Sequence, residues 1–215
     1  MALSLSHVAV NLHRVAIVRR FSLEVAAGEI VTLMGPSGVG KSTLLSYIAG
    51  DLEAPFTATG QVMLDGERVE HLPPERRRIG RLFQDDLLFP HLTAGENLLF
   101  GMARGPRAAR VAAMRAALRG IGLDGFEDRP PQTLSGGQRS RVALMRALLA
   151  APRAMLLDEP FNKLDADLKA SLKTLVFAHL KQRHMPCLLV SHDRADAPAG
   201  GRVLRLTGNG EVKDD

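Results

Sequence analysis

Cysteine is almost missing from this 215-residue chain. Cys187 stands alone, so no disulfide closes within the chain, a secreted disulfide scaffold is excluded, and a reducing cytosol is the simple inference. Long apolar runs are missing too. Stretches free of Asp, Glu, Lys and Arg, such as Ile30–Gly40 and Ala54–Leu64, fall well short of the roughly 18 apolar residues that a membrane-spanning helix needs. The opening Met-Ala-Leu-Ser-Leu-Ser-His has no basic region ahead of an apolar core, so no secretory leader is expected. Tryptophan is absent and Tyr47 is the one tyrosine.

What is present suits one globular domain with a subdomain: 46% hydrophobic residues are too many for a disordered chain. The net charge is +5, and nine of the 22 arginines fall between Arg104 and Arg146 with three acids among them. Arginine spaced along an Ala-rich helix reads as a solvated face, and no nucleic-acid partner is expected.

Gly28-Glu29 leads into Ile30–Met34, an apolar β-branched run too short for a helix, which predicts a buried strand. Residues 41–49 read as a helix stopped by Gly50. Gln61–Leu64, Ile79–Gln84, Ala154–Leu157 and Met185–Ser191 are further strands, and Ala166–Lys181 a helix. Between Thr93 and Ala150 the chain turns Ala-, Leu- and Arg-rich with helical spacing. The expected organisation is a nucleotide-binding α/β core over 1–84 and 151–215 with a helical subdomain over 85–150, the alternation of strand and helix arguing for a parallel sheet.

Gly35-Pro36-Ser37-Gly38-Val39-Gly40-Lys41-Ser42-Thr43 fits G-x-x-x-x-G-K-[ST] between a predicted strand and a predicted helix. The glycines let backbone N–H groups converge, and the helix N-terminus adds partial positive charge, so a polyphosphate belongs there. Lys41 is placed to reach the β- and γ-phosphates of ATP, and Ser42 to help hold Mg²⁺. Downstream, Ala154-Met155-Leu156-Leu157 ends in Asp158-Glu159-Pro160. Adjacent carboxylates at the end of a buried strand are costly unless a cation or a proton transfer employs them. Asp158 is expected to support Mg²⁺ through a coordinated water, and Glu159 to polarise the water attacking the γ-phosphate.

Leu134-Ser135-Gly136-Gly137-Gln138 precedes the periodic apolar residues Val142, Leu144, Met145 and Leu148. By itself it is either a Ser-capped helix start or a second phosphate contact. With the loop upstream and the Asp-Glu strand downstream, the set resembles the ATP-binding subunits of ABC transporters, over nearly the whole chain. Gly35–Thr43 looks like the family's Walker A loop, Gln84 its Q-loop glutamine, Leu134–Gln138 its signature motif, and Leu156–Glu159 its Walker B end. Leu164-Asp165 looks like its D-loop and His192 its H-loop histidine.

The resemblance implies a P-loop NTPase core with a parallel sheet, an N-terminal antiparallel β part and an inserted α-helical subdomain. It also implies a head-to-tail dimer in which Ser135, Gly136, Gly137 and Gln138 of one copy close on the γ-phosphate held by Lys41 of the other, with Asp165 at the same junction. Gln84 would sense Mg²⁺ and water, and His192 would contact the γ-phosphate. The stretch from Phe83 to Thr93 looks like the importer branch, with apolar Leu87, Leu88, Phe89 and Leu92 either receiving a permease helix or packing in the subdomain core. Integral-membrane permease subunits, a solute-binding protein and a place on the cytoplasmic face of the cell membrane follow from that branch. The pattern is also similar to cassettes assigned to thiamine-like solutes. An export cassette and a soluble ABC ATPase are the alternatives.

Two departures stand out. No aromatic ring occurs in Val10-Asn11-Leu12-His13-Arg14, where the family stacks adenine, so weaker and less base-selective nucleotide binding is expected unless His13 or Leu12 covers the base. Asn162-Lys163-Leu164-Asp165 stands where Ser-Ala-Leu-Asp is commoner, with Lys163 expected to face solvent. No regulatory domain is expected after Gly201–Leu206.

Overall fold

The computed structural model describes all 215 residues, Met1–Asp215. Ten strands form in chain order: β1 (Leu3–Leu12), β2 (Val15–Val25), β3 (Ile30–Met34), β4 (Phe56–Leu64), β5 (Glu67–Arg68), β6 (Ile79–Leu82), β7 (Ala154–Asp158), β8 (Cys187–Val190), β9 (Val203–Leu206) and β10 (Val212–Asp214). Six α-helices accompany them: α1 (Lys41–Ala49), α2 (Pro74–Arg77), α3 (Ala94–Gly101), α4 (Arg107–Gly120), α5 (Gly136–Leu149) and α6 (Ala166–Gln182). Two compact units result, one of Met1–Arg81, Arg153–Glu159 and Val176–Asp215, the other of Leu82–Pro152 and Pro160–Leu175. Residues 160–175, which the sequence assigned to the α/β core, pack with the helical unit instead.

The first unit holds an antiparallel sheet of order β2-β1-β4-β5 and a sheet of order β10-β9-β3-β8-β7-β6. In the second sheet β9, β3, β8 and β7 run parallel, with Ile30 opposite Cys187 and Met155 opposite the same residue. Every residue of β3, β7 and β8 is buried, as expected of parallel strands covered on both faces, and this is why they read as continuous apolar runs. The register sets Leu33 beside Val190 and Val190 beside Asp158. The chain therefore leaves three neighbouring strands at one edge, in the segments that begin at Gly35, Glu159 and Ser191.

β1 alternates buried and less buried residues, as one face of an antiparallel sheet should. Its register shifts between Ser6 and Ala9, opposite Gly60, where a Cβ would lie 2.6 Å from the Val8 Cα, so glycine is needed for that close approach.

Arg77 is 5% exposed and faces carbonyls alone among its close partners. Its guanidinium donates to Leu72 O at 2.8 Å, Tyr47 O at 2.7 Å, Ile48 O at 2.9 Å and Glu70 O at 2.7 Å. Tyr47 and Ile48 belong to the last turn of α1, whose orphan carbonyls and negative dipole end favour a cation. Arg77→Met is expected to lower unfolding free energy by roughly 3 kcal/mol or more, because several buried carbonyls lose a charged donor; urea denaturation measures it.

In the second unit α3 and α5 begin with capping boxes. Thr93 Oγ1 accepts the Glu96 N–H while Glu96 accepts the Thr93 N–H, and Ser135 with Gln138 repeats the arrangement. The fully buried Asn97 donates to the carbonyls of Phe89, Leu92 and Thr93 and accepts the Phe89 N–H, fixing the loop before α3.

Candidate nucleotide site

In the first unit the strand edge gathers Lys41, Ser42, Asp158, Glu159 and His192. The loop from Gly35 to Gly40 curls through left-handed φ values of 76° at Gly38 and 107° at Gly40. A Cβ on Gly40 would sit 2.0 Å from Ile17 Cγ2, so strand β2 closes one side of the loop and only glycine fits. The curl starts α1 directly at Lys41, with no side chain capping its N–H groups. Those groups are left for an anion.

Lys41 is buried, and its ammonium donates to the carbonyls of Gly35 at 2.7 Å and Pro36 at 2.8 Å. Burial lowers its pKa, while Glu159 and Asp158 nearby raise it again. Asp158 is 3% exposed. Burial holds its carboxyl above the usual range, against the pull of a hydrogen bond from Ser42, of Arg81 and of Lys41. Asp158 Oδ1 is buried with no hydrogen-bond partner, a costly state for a carboxylate oxygen.

Glu159 follows with φ of 51°, left-handed backbone that turns the chain sharply after the strand, and its N–H donates to Val190 O at 3.0 Å. The turn brings Glu159 Oε2 to 2.7 Å from His192 Nδ1. The loop carrying the histidine is braced on both sides. Ser191 Oγ donates to buried Asp196 at 2.6 Å and accepts the Asp193 N–H at 3.0 Å.

The other sequence-predicted residues lie in the second unit. Ser135 caps α5, and Gly136 and Gly137 form its first turn. A Cβ on Gly137 would be 2.9 Å from the Lys163 carbonyl oxygen. Asp165 accepts the Leu168 N–H and so caps the start of α6. Gln84 is exposed, and its carbonyl oxygen accepts from Lys163 Nζ at 3.2 Å. Lys163 does not simply face solvent as expected: its ammonium also bonds Asp86 at 3.3 Å. Leu12 ends β1 and His13 occupies the tight turn before β2, so the missing aromatic ring is not replaced there by another one.

Sequence reading missed Arg81 and Asp86. Arg81 donates to Asp51 at 2.6 Å and to Ser46 at 2.8 Å and lies 3.9 Å from Asp158. The signal available was a single charge inside the apolar run Ile79–Leu82. Asp86 carried no signal, because its partners are 54 and 77 residues away.

The family model for ABC transporters matches residues 18–162. Among relatives, the ABC transporter ATP-binding protein YnjD of Escherichia coli K12 is 44% identical over 95% of this chain and 94% of its own length. The Fe(3+) ions import ATP-binding protein FbpC of the same organism is 40% identical over 91% of this chain, which spans 56% of FbpC. A dimeric, post-hydrolysis structure of the ATP-binding cassette MJ0796, bound to ADP and Pi, superposes with a TM-score of 0.86 at 31% identity, covering 99% of this chain and 97% of that one. The parallel core, the antiparallel N-terminal sheet and the helical unit are those of that cassette. The chain belongs to the ABC transporter family and is an ATP-binding, ATP-hydrolysing subunit of it.

Proposed function

We propose that this ATPase drives import of a small solute through separate membrane subunits. The observation that carries the chemistry is Asp158, a buried carboxylate with one oxygen unpaired, hydrogen-bonded to Ser42 beside the phosphate loop. That donor set fits Mg²⁺, which takes one or two protein oxygens and completes its shell with phosphates and water. Ser42 and Asp158 would hold the ion, and it would neutralise charge on the β- and γ-phosphates, while the family resemblance gives Gln84 the role of sensing that ion and the water. The N–H groups from Gly35 to Thr43 cradle the phosphates and Lys41 leaves its two carbonyls for the γ-phosphate. Glu159 orients a water and takes its proton as the water oxygen attacks the γ-phosphorus, the bond to the bridging oxygen breaks, and ADP and phosphate form. His192, bonded to Glu159, stands beside that carboxylate where the γ-phosphate arrives.

Ser135, Gly136, Gly137 and Gln138 would complete the site of a second, head-to-tail copy, with Asp165 at the junction. Relatives named for iron import support the inward direction. No helix is long and apolar enough to cross a membrane, and separate permease subunits would supply the translocation path. A groove of about 360 Å³ beside Leu87, Leu88 and Pro90, with Leu87 56% exposed, suits a short permease helix on the cytoplasmic face of the cell membrane. A solute-binding protein would deliver the cargo.

Tagged Glu159→Gln protein recovered from detergent-solubilised membranes of the host tests this reading. Co-purification of a multi-helix permease is expected. Recovery of soluble partners or nucleic acid alone would overturn the transport role and leave the ATPase standing.

A further inference from the structure

Within the second unit, Lys163 touches two of the segments assigned above to the reaction. Its side chain donates to the Gln84 carbonyl oxygen at 3.2 Å, and its own carbonyl oxygen lies against Gly137 so closely that a Cβ there would be 2.9 Å away. Asp86, two residues after Gln84, gathers the other contacts. Its carboxylate accepts from Lys163 Nζ at 3.3 Å and from Ser140 Oγ at 2.5 Å, with Arg139 Nε at 3.4 Å. Ser140 and Arg139 belong to the first turns of α5, immediately after the signature residues. The Asp86 side chain is 12% exposed and Lys163 41%. One carboxylate and one ammonium thus tie the Gln84 loop, the signature turn and the segment leading to Asp165 to one another. An alanine at position 163 would have no atom to reach either Gln84 or Asp86.

We propose that Lys163 and Asp86 form a latch that positions the Gln84 loop against the signature turn, so that the two present their groups to nucleotide together. Both are positioning residues. The latch rests on the roles assigned to Gln84 and Gly137 in the proposed function. A partly exposed ion pair adds little to stability. Its effect therefore falls on rate and on order in the loop rather than on the melting temperature.

The absence of tryptophan makes the loop easy to watch, because Phe83→Trp places the chain's single indole next to Gln84. In that background, Lys163→Ala is expected to lower the fluorescence anisotropy of the indole and increase its quenching by acrylamide. In the native background the same change is expected to lower kcat roughly tenfold, as a loosened catalytic group does, with the KM for ATP and the melting temperature nearly unchanged and more Mg²⁺ needed for half-maximal rate. Lys163→Arg should restore most of the rate. Asp86→Asn should resemble Lys163→Ala, and the double variant should be no worse than either alone.

Unchanged kcat and anisotropy in Lys163→Ala would overturn the latch. So would a rate loss matched by a falling melting temperature, or losses that multiply in the double variant. If wild-type turnover proves insensitive to Glu159→Gln, the catalytic assignment fails instead, while the anisotropy still reports whether the loop is held.

Discussion

Glu159→Gln is expected to bind ATP as the wild type does and to lose turnover by roughly 10²- to 10⁴-fold, the usual contribution of a general base. The change is nearly isosteric. The side-chain amide, which can donate or accept, still pairs with His192 Nδ1, now at 2.7 Å from Glu159 Oε2, and the backbone bond to Val190 is untouched. What goes is the capacity to take a proton from water. Equilibrium binding of ATP measured beside phosphate release separates the two effects. Equal phosphate release by the variant would remove Glu159 from the base role.

Lys41→Met should act on the opposite quantity. The ammonium donates to Gly35 and Pro36 and would exchange those carbonyls for phosphate oxygens when ATP binds. Losing a hydrogen bond to a charged group costs about 1.5–3 kcal/mol, so ATP affinity should fall roughly 10- to 150-fold. In the free protein two opposing changes follow, because the carbonyls of Gly35 and Pro36 lose a charged donor while a buried ammonium is removed. Burial depresses the Lys41 pKa from its ordinary 10.5, which means that the charged form destabilises the native state at neutral pH. That penalty is present below the folded-state pKa and fades as pH rises through it towards 10.5. The wild type should therefore gain melting temperature relative to Lys41→Met as pH rises towards 10.5, and titration calorimetry gives the affinities.

The parts of this architecture that announce themselves in sequence are those whose chemistry is local. Gly35 to Thr43 must curl, so its glycines are spaced; β3, β7 and β8 are covered on both faces, so they are apolar throughout; Gly50 stops α1 because its φ of 93° needs glycine. β1 and β2 pass unread because a half-buried strand tolerates Ser, His and Arg on its outer face and bulges interrupt its period. Arg77 and Asp86 escape for another reason. Each is defined by partners distant in sequence, and nothing in Arg-Arg-Arg or Gln-Asp-Asp says which copy turns inward. Lys163 shows the same limit, for its neighbours Asn162 and Leu164 carry no hint that a carboxylate waits at position 86.

Glu159 sits in a backbone region that costs an L residue roughly 1–2 kcal/mol and that glycine adopts freely. Selection for heat resistance alone would therefore move position 159 towards glycine or asparagine and return sturdier proteins that no longer turn over. A glutamate at this position sets the demands of turnover against the chain's own preference for stability.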